Sequence, residues 1–392
     1  MEEIVIVSSA RTAFGRLGGS FRDTPAVDLG GVAIRGAVER AGVPNDRIDH
    51  VIMGTVITAG MGQVPARQAA LKAGLPVEVP AMTINKVCAS GLKAVNLAAQ
   101  MIKAGDAEIV VAGGMESMSM APYLVDKGRF GYRMGNGVLV DSMMRDGLEC
   151  GICGVEMHHY GSDVAAEFEI NREDQDRWSV RSQRRYAEAL EAGKIQREIV
   201  PVEVPQRKGA PLVVDADEQP RPDTTLDKLS LLKALKPGGS VTAGNAPGVN
   251  DGAAALVVAS RRAADDLGLT PLAVWVSQGE GNAEAPYLHT VPAFAIRNAL
   301  KKSGLDLNDI HLFEINEAFA AVTLTTMQIL GLNADEVNVN GGAVAIGHPI
   351  GASGARILGS LIYEMQRRDV EYGAASICSG TAQGEATIVR RA

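Results

Sequence analysis

The sequence predicts an α/β fold built from two related halves, interrupted by a long insertion. Three observations predict it: segments near the two ends repeat at a constant spacing, each copy alternates strand-like and helix-like patterns, and the stretch between them differs in texture. The repeat is clearest in a helix, where AIRGAVERAGV at 33–43 and AIRNALKKSGL at 295–305 lie 262 residues apart and each runs to a glycine, Gly42 or Gly304. The same spacing sets Ile48 opposite Ile310 and the strand DHVIMG opposite HLFEIN. At a spacing of 263, Ala89-Ser90-Gly91-Leu92-Lys93 meets Ala352-Ser353-Gly354-Ala355-Arg356, and GDAEIVVAGGMES meets RDVEYGAASICSG, with Met115 opposite Cys378. One periodic match is common in helical proteins; three in register point to a duplicated unit.

The first half spans 1–118 together with 249–270, where the strand NDGAAALVVAS and a following helix attach to it; the second spans 271–392. Strands alternating with helices predict a mostly parallel sheet with right-handed crossovers, and ligands at the carboxyl ends of its strands. The insertion, 119–248, holds MSMAPYL, the glycine-rich GRFGYRMGNG, a Pro- and Asp-rich run DADEQPRPDTT and one long helix. Asn171 with Asp174 forms a start signal for that helix and Gly193 a stop. An insertion of this length covers a site that the scaffold builds.

Composition narrows the function. The chain has 392 residues, of which 46% are hydrophobic and 4% aromatic, enough for a large aliphatic core. Its 44 glycines are scattered through apolar segments without a period, which excludes a collagen-like or low-complexity chain. A net charge of −8 argues against a nucleic-acid partner, which calls for a dominant basic surface. No apolar run approaches the roughly 18 residues that cross a bilayer, and MEEIVIV lacks the basic start of a secretory signal. Four cysteines are too few for a disulfide framework in a chain this long, so a reducing, cytoplasmic setting is expected.

The repeat also gathers reactive residues. Cys88 stands just before a helix that opens Ala89-Ser90-Gly91, where the partial positive charge of a helix start is expected to lower a thiol pKa. In the second copy His348, in NGGAVAIGHPIGASG, lies three residues ahead of the position that matches Cys88. Related helix starts face one centre, which pairs Cys88 and His348 as nucleophile and base. Cys378 ends the strand AASIC before a Ser379-Gly380 turn, and Asn316 ends the strand that matches VIMG. Taken singly, a cysteine in an apolar strand serves packing and a histidine before proline serves a loop; their mutual placement carries the functional reading. Cys150-Gly-Ile-Cys153, followed by His158-His159, is a second constellation. It lacks the βα context of a thioredoxin-like redox motif, and its spacing matches no common zinc site.

At these residues the chain closely resembles the thiolases. The likeness runs through SSARTAFG, GQVPARQAA, NKVCASGLKA, AGGMESMS, DEQPRPDTTLDKL, VTAGNAPGVNDGAA, INEAFA, NVNGGAVAIGHPIGASGARI and CSGTAQG, essentially the whole chain. The resemblance implies two βαβαβαββ halves in a layered α/β/α/β/α core, with the insertion as a loop domain for coenzyme A and oligomer contacts. It implies ping-pong acyl transfer on acetoacetyl-CoA or another short 3-ketoacyl-CoA, or condensation of two acetyl-CoA. Cys88 would carry the acyl group, His348 would take the thiol proton and, with a water held by Asn316, stabilise the thioester oxygen, and Cys378 would move the proton of the acetyl methyl carbon. The N–H groups of Cys88 and Gly380 would form the second oxyanion hole.

Leu148, Met157, Arg221, Ala243, Gly244, Ala318 and Phe319 are the implied substrate and coenzyme A contacts. Arg184, Arg185, Arg207 and Lys208 are further candidates for the phosphates. Coenzyme A and acyl-CoA enter as substrates, with no permanently bound cofactor and no metal, and the implied assembly is a homodimer or homotetramer. The sequence departs from the family pattern at Pro247 (commonly serine), at the turn Cys378-Ser-Gly-Thr-Ala, at Glu156-Met157-His158 and at Val291-Pro292. A longer-chain 3-ketoacyl-CoA thiolase is the alternative enzyme. An acyl-CoA-binding protein without turnover and a Cys150/Cys153 redox or zinc module are the alternatives of other classes.

Overall fold

The computed structural model describes residues 2–392. The first half runs β1 (Ile4–Arg11), the short β2 (Gly15–Arg16), α1 (Ala26–Ala41), β3 (His50–Gly54), α2 (Pro65–Lys72), β4 (Ala81–Ile84), α3 (Ser90–Ala104) and β5 (Ile109–Ser117). The insertion contributes β6 (Tyr123–Leu124), β7 (Val140–Asp141), α4 (Met157–Glu167), α5 (Arg172–Glu191), β8 (Val202–Val204), β9 (Leu212–Val214) and α6 (Leu226–Ser230). The chain then re-enters the sheet with β10 (Asn250–Ser260) and leaves it through α7 (Arg261–Asp266). The second half follows as β11 (Ala273–Asn282), α8 (Val291–Ser303), β12 (Leu312–Ile315), α9 (Ala320–Leu330), α10 (Ala343–Ile346), α11 (Ser353–Arg368), β13 (Tyr372–Ser379) and β14 (Gln383–Arg391).

Equivalent helices end in equivalent ways. Gly42 after α1 and Gly304 after α8 both adopt the left-handed conformation, φ 69° and 74°, that a residue with no Cβ reaches without steric cost. In the second half the counterpart of β4 shrinks to one parallel bridge, Phe313 with Val337.

The strands join in the order β12-β13-β14-β11-β1-β10-β5-β3-β4, with β2 added on β10. Only β3/β4, β3/β5 and β12/β13 pair in parallel. The centre is antiparallel, which corrects the expectation of a mostly parallel sheet. Two causes act. The last two strands of each half return against one another instead of crossing over by a helix, which makes β13/β14 and β5/β10 antiparallel. The halves also meet edge to edge through β1 and β11, and like edges related by a two-fold axis run in opposite directions. That join covers only Ile4–Ile6 against Ala273–Trp275, so the ten-stranded sheet divides at a narrow link into a first-half and a second-half sheet.

The layers follow from the two faces of each strand. On one face of the first sheet, Val5, Val51, Val111 and Val257 pack under α1 and α2. On its other face Ile6, Ile52, Ala112 and Leu256 share a core with Ile377 and Val389 of the second sheet, with α3 and α11 between them. α8 and α9 close the far side over Phe313, Ala374 and Ile388. In the insertion, α5 begins at a reciprocal cap between Asn171 and Asp174 and is followed by Gly193 at φ +71°. Among the described residues no helix is long and apolar enough to cross a membrane.

The central layer is held at backbone distance. Gly91 of α3 and Gly354 of α11 are repeat equivalents, and each faces the other helix. A Cβ on Gly354 would lie 2.4 Å from the Leu92 nitrogen, and one on Gly91 would lie 2.9 Å from both the Ala355 nitrogen and the Gly351 oxygen. Gly354→Ala is therefore expected to destabilise the fold by about 1–3 kcal/mol, the usual range for overpacking. The urea unfolding midpoint, compared with that of Ala355→Gly as a control in the same turn, checks this.

Candidate active site

Cys88 follows β4 on a tight loop. Val87 takes φ +46°, unfavourable for a β-branched residue, and is held there by its N–H donating to Asn85 Oδ1 at 2.9 Å. Ser90 fastens the same loop: its Oγ accepts from the Lys86 N–H at 2.8 Å and donates to the Val87 oxygen at 2.7 Å. The loop is also tied to the second half. Ser379 Oγ donates to the Lys86 oxygen at 2.5 Å, and Lys86 Nζ reaches Glu385 Oε2 on β14 at 2.7 Å. Cys88 thus cannot shift without disturbing the end of the strand that carries Cys378.

His348 lies between α10 and α11. Gly347, at φ +100°, lets the chain pass Asn250, and the His348 N–H donates to Asn250 Oδ1 at 2.9 Å. A Cβ at 347 would come within 2.4 Å of the Asn250 amide. The imidazole tautomer follows from its neighbours. Ser353 Oγ donates to the Pro349 oxygen at 3.0 Å, so at 2.6 Å it accepts the proton of His348 Nδ1. Nε2 is left as the basic nitrogen, 3.5 Å from Asn316 Nδ2. Asn316 follows β12 with its N–H on the Ser376 oxygen, and its Oδ1 is buried with no partner in the protein.

These groups open on one cavity of about 330 Å³. Cys88, His348, Cys378 and Gly380 line it, with Leu148, Met157, Ala318 and Phe319 of the expected substrate contacts. Asn316 stands behind the wall, reaching the site through His348. Arg221, Ala243 and Gly244 lie outside the lining, although the segment just after Gly244 supplies Ala246, Pro247 and Gly248 to it. Gly244 instead packs against Leu229 and Leu232 around α6, and the Arg221 N–H donates to Gln183. Of the other basic candidates, Arg184 pairs with Glu188 and Arg185 with Asp335, while Arg207 and Lys208 line a separate surface groove with Ser20 and Asp28.

Burial sets the electrostatics. The sequence predicts a lowered Cys88 pKa; the structure reverses that. Burial, with a smaller push from Glu116, raises the thiol to about 12 against the lowering effect of the Gly380 N–H and its own N–H. The Cys378 thiol is also raised well above its ordinary range, by burial and then by Cys88. Burial and the Arg356 cation push His348 down to about 3. The unliganded site therefore holds a neutral thiol and a neutral imidazole.

Sequence reasoning missed several supporting residues. Glu116, fully buried, accepts N–H bonds from Val56, Ile57 and Gly351 and a hydroxyl from Thr55, and burial raises it to about 7. It clamps the loop before Cys88's half of the cavity to the loop after His348. A lone acid in the small-residue strand IVVAGGMES was the available signal. Ser353 and Asn250 gave none, since each acts only through a contact with His348. The departures from the family pattern cluster here too. Pro247 and Glu156 line the cavity, Glu156 Oε2 pairs with His158 Nδ1 at 3.1 Å, and Thr381 and Ala382 both turn at positive φ, 63° and 51°. Among the described residues no group of three or more His, Cys, Asp or Glu is placed to hold a metal.

Comparison with known proteins shows the family and the fold. The family model of the thiolase N-terminal domain matches residues 4–262 and that of the C-terminal domain residues 269–391. An acetyl-CoA acetyltransferase of Cupriavidus necator is 53% identical over 392 residues, covering 100% of both chains. One of Escherichia coli K12 is 50% identical over 393 residues, again covering both chains in full. The crystal structure of the Bacillus anthracis acetyl-CoA acetyltransferase superposes with a TM-score of 0.97 at 40% identity, over 100% of this chain and 99% of that one.

A thiol raised to about 12 by burial gains thiolate throughout the working range. Alkylation of Cys88 by iodoacetamide, followed by peptide mapping, is expected to accelerate about tenfold per pH unit from about pH 6 to about pH 9. A rate already flat at the acid end would reveal a standing thiolate–imidazolium pair instead.

Proposed function

The chain belongs to the thiolase family of acyltransferases, and from that premise we propose that it is an acetyl-CoA C-acetyltransferase acting through an acyl group on Cys88. The observation that carries the reading is one apolar cavity shared by Cys88, His348, Cys378 and the Gly380 turn. In the condensing direction the Cys88 thiol passes its proton to His348 Nε2 as its sulfur attacks the thioester carbonyl of acetyl-CoA. The developing oxyanion is met by the imidazole side, with a water held by Asn316. Coenzyme A leaves with the proton returned from His348, and Cys88 is acetylated. Cys378, having released its own proton to solvent, then takes as thiolate a proton from the methyl carbon of a second acetyl-CoA, and that carbon attacks the acetyl carbonyl. The new oxyanion is met by the N–H groups of Cys88 and Gly380, and expulsion of the Cys88 thiolate gives acetoacetyl-CoA. Thiolysis is the same path reversed.

The electrostatics support this order of events. The neutral imidazole keeps its Nε2 lone pair free, but burial makes it a weak base, so the thiol proton moves to it only as the sulfur attacks and the oxyanion forms beside it. Acylation prevents Cys88 from carrying the thiolate charge that raises the Cys378 thiol, so Cys378 releases its own proton more readily at the step that needs a base. The Gly380 N–H is already directed at the Cys88 sulfur.

The remaining readings extend the proposal. The insertion, 119–248, walls the cavity and takes the coenzyme A moiety, with Leu148, Met157, Ala318 and Phe319 against the acyl and pantetheine portion and Arg221, Ala243 and Gly244 further along the cofactor chain. Coenzyme A and its esters are the small-molecule partners, with no nucleic-acid or membrane partner. The protein works in the cytoplasm, where its thiols stay reduced. It assembles as a homodimer or homotetramer. The β6–β7 hairpin supports assembly, because Phe130 is 95% and Met134 94% exposed between its strands, with Val138 and Leu139 beside them.

Incubation with acetoacetyl-CoA in the absence of free coenzyme A is expected to leave an acyl group on Cys88, read by peptide mass mapping and absent from Cys88→Ala. Cys378→Ala is expected to acylate from acetyl-CoA yet lose about 10²–10⁴-fold in turnover, the usual worth of a general acid–base group. A stable adduct elsewhere, or none despite binding of the ester, favours the non-catalytic binder. In the double variant Phe130→Ser/Met134→Ser, light scattering is expected to report a smaller assembly than the parent chain.

A further inference from the structure

The pair Cys150 and Cys153 takes no part in the chemistry above. The structure closes Cys150-Gly151-Ile152-Cys153 into a turn: the Gly154 N–H donates to the Cys150 oxygen at 2.7 Å, and the Cys150 N–H donates to the Val155 oxygen at 2.8 Å. A bridge between Glu149 and Glu156 seals its base. The two thiols differ sharply in access. Cys150 is 1% exposed under a thin cover of exposed residues, and Cys153 is itself exposed. The two cysteines are separated by only two residues within this one closed turn. The buried Tyr160 hydroxyl has no hydrogen-bond partner, and its ring packs in the same apolar cluster as Cys150.

The turn is wired to the acyl cavity. Cys150 packs in one apolar cluster with Tyr160, Phe319 and Cys378. The residues that flank the turn, Leu148 on one side and Glu156 and Met157 on the other, line the cavity. His158, which follows, is paired with Glu156, so its ring is engaged away from the thiols.

We propose that Cys150 and Cys153 form a reversible dithiol–disulfide site, oxidised by small-molecule disulfides, and that its oxidation weakens acyl-CoA binding through the 148–157 loop. The exposed Cys153 attacks the small disulfide RSSR as thiolate, forming a Cys153 mixed disulfide and releasing one RS⁻. Cys150, having lost its proton to solvent, then attacks the Cys153 sulfur, forming the Cys150–Cys153 bond and releasing the second RS⁻. Two protein thiols are oxidised and one RSSR is reduced to two RSH. The buried partner suits the second step. Burial acts to raise its thiol pKa, but the Cys153 and Ile152 N–H groups and then the Tyr160 and Cys153 side chains outweigh it and hold it below the ordinary value. Closing the S–S bond draws the sulfurs together, withdraws Cys150 from Tyr160 and Phe319, and moves both strands of the Glu149–Glu156 bridge that frame the cavity mouth.

The test uses the reduced full-length protein, oxidised glutathione, and trapping of free thiols with N-ethylmaleimide before peptide mapping. The expected result is a peptide carrying a Cys150–Cys153 bond. In thiolysis of acetoacetyl-CoA, KM is expected to rise about three- to tenfold with kcat held within about twofold. Dithiothreitol reverses both changes, and Cys153→Ser keeps the reduced enzyme's activity without responding to the oxidant. The mapping arm does not depend on the acyl-transfer reading, whereas the kinetic arm rests on it, so failure of one is distinguishable from failure of the other. Glutathione retained on Cys153 without closure overturns the proposal. So does a bond between Cys88 and Cys378 that accounts for the loss of activity, an unchanged KM in the linked protein, or an equal response from Cys153→Ser.

Discussion

Everything at the reactive centre depends on one steric constraint: two helix starts from different halves of the chain meet backbone to backbone. Gly91 and Gly354 face each other across the central layer, and Gly114 meets Gly351 so closely that a Cβ on it would lie 1.9 Å from the Gly351 oxygen. The loops that carry Cys88 and His348 lead into these helices. Any side chain at the crossing would part them, and a misplacement of about 1 Å in a reacting group costs about a hundredfold in rate. The duplication makes the arrangement economical, since one small-residue pattern, used twice about a two-fold axis, produces both faces of the contact.

That contact also buries Cys378 and His348 and leaves Cys88 only partly open on the cavity, and their chemistry follows. Cys88, Cys378 and His348 are all held in their uncharged forms by burial. A neutral resting site avoids the large cost of isolated buried charge, while N–H groups are already aimed at the places where charge develops. The carboxylates close by are treated differently. Glu317 is buried too, but it accepts from Trp178, Ser182, Asn338 and the Val344 N–H, and so fastens α5 of the insertion to the loop ahead of His348. Arg11 does the same elsewhere, paired with Asp217 at 2.7 Å and Glu198 at 3.0 Å. Breaking one partner of such a pair strands the other, so these contacts lock the insertion in place far more firmly than surface ion pairs would.

The insertion in turn is both wall and sensor. Its 148–157 loop carries apolar residues to the cavity and a dithiol to the surface within a few residues of each other. A segment added to a symmetric scaffold can respond to its surroundings without disturbing the glycine contact beneath.

The sequence alone determined that an α/β unit is duplicated, where α5 lies, and that Cys88, His348 and Cys378 stand at related helix starts and strand ends. Each of these is written in local periodicity, in capping residues such as Asn171 and Asp174, or in the spacing of AxRxAL, ASG and GHPIGASG. Strand direction, the raised Cys88 thiol, and the roles of Glu116, Ser353 and Asn250 were decided only by the tertiary structure. Pairing direction depends on which edges meet, and a pKa depends on how much water the packing removes. Glu116 and Asn250 act through partners far away in sequence, Gly351 lying 235 residues from Glu116 and His348 lying 98 from Asn250, while Ser353 reaches His348 only because the chain between them turns into α11. Local sequence carries local preference, and long-range contact exists only once the chain has folded.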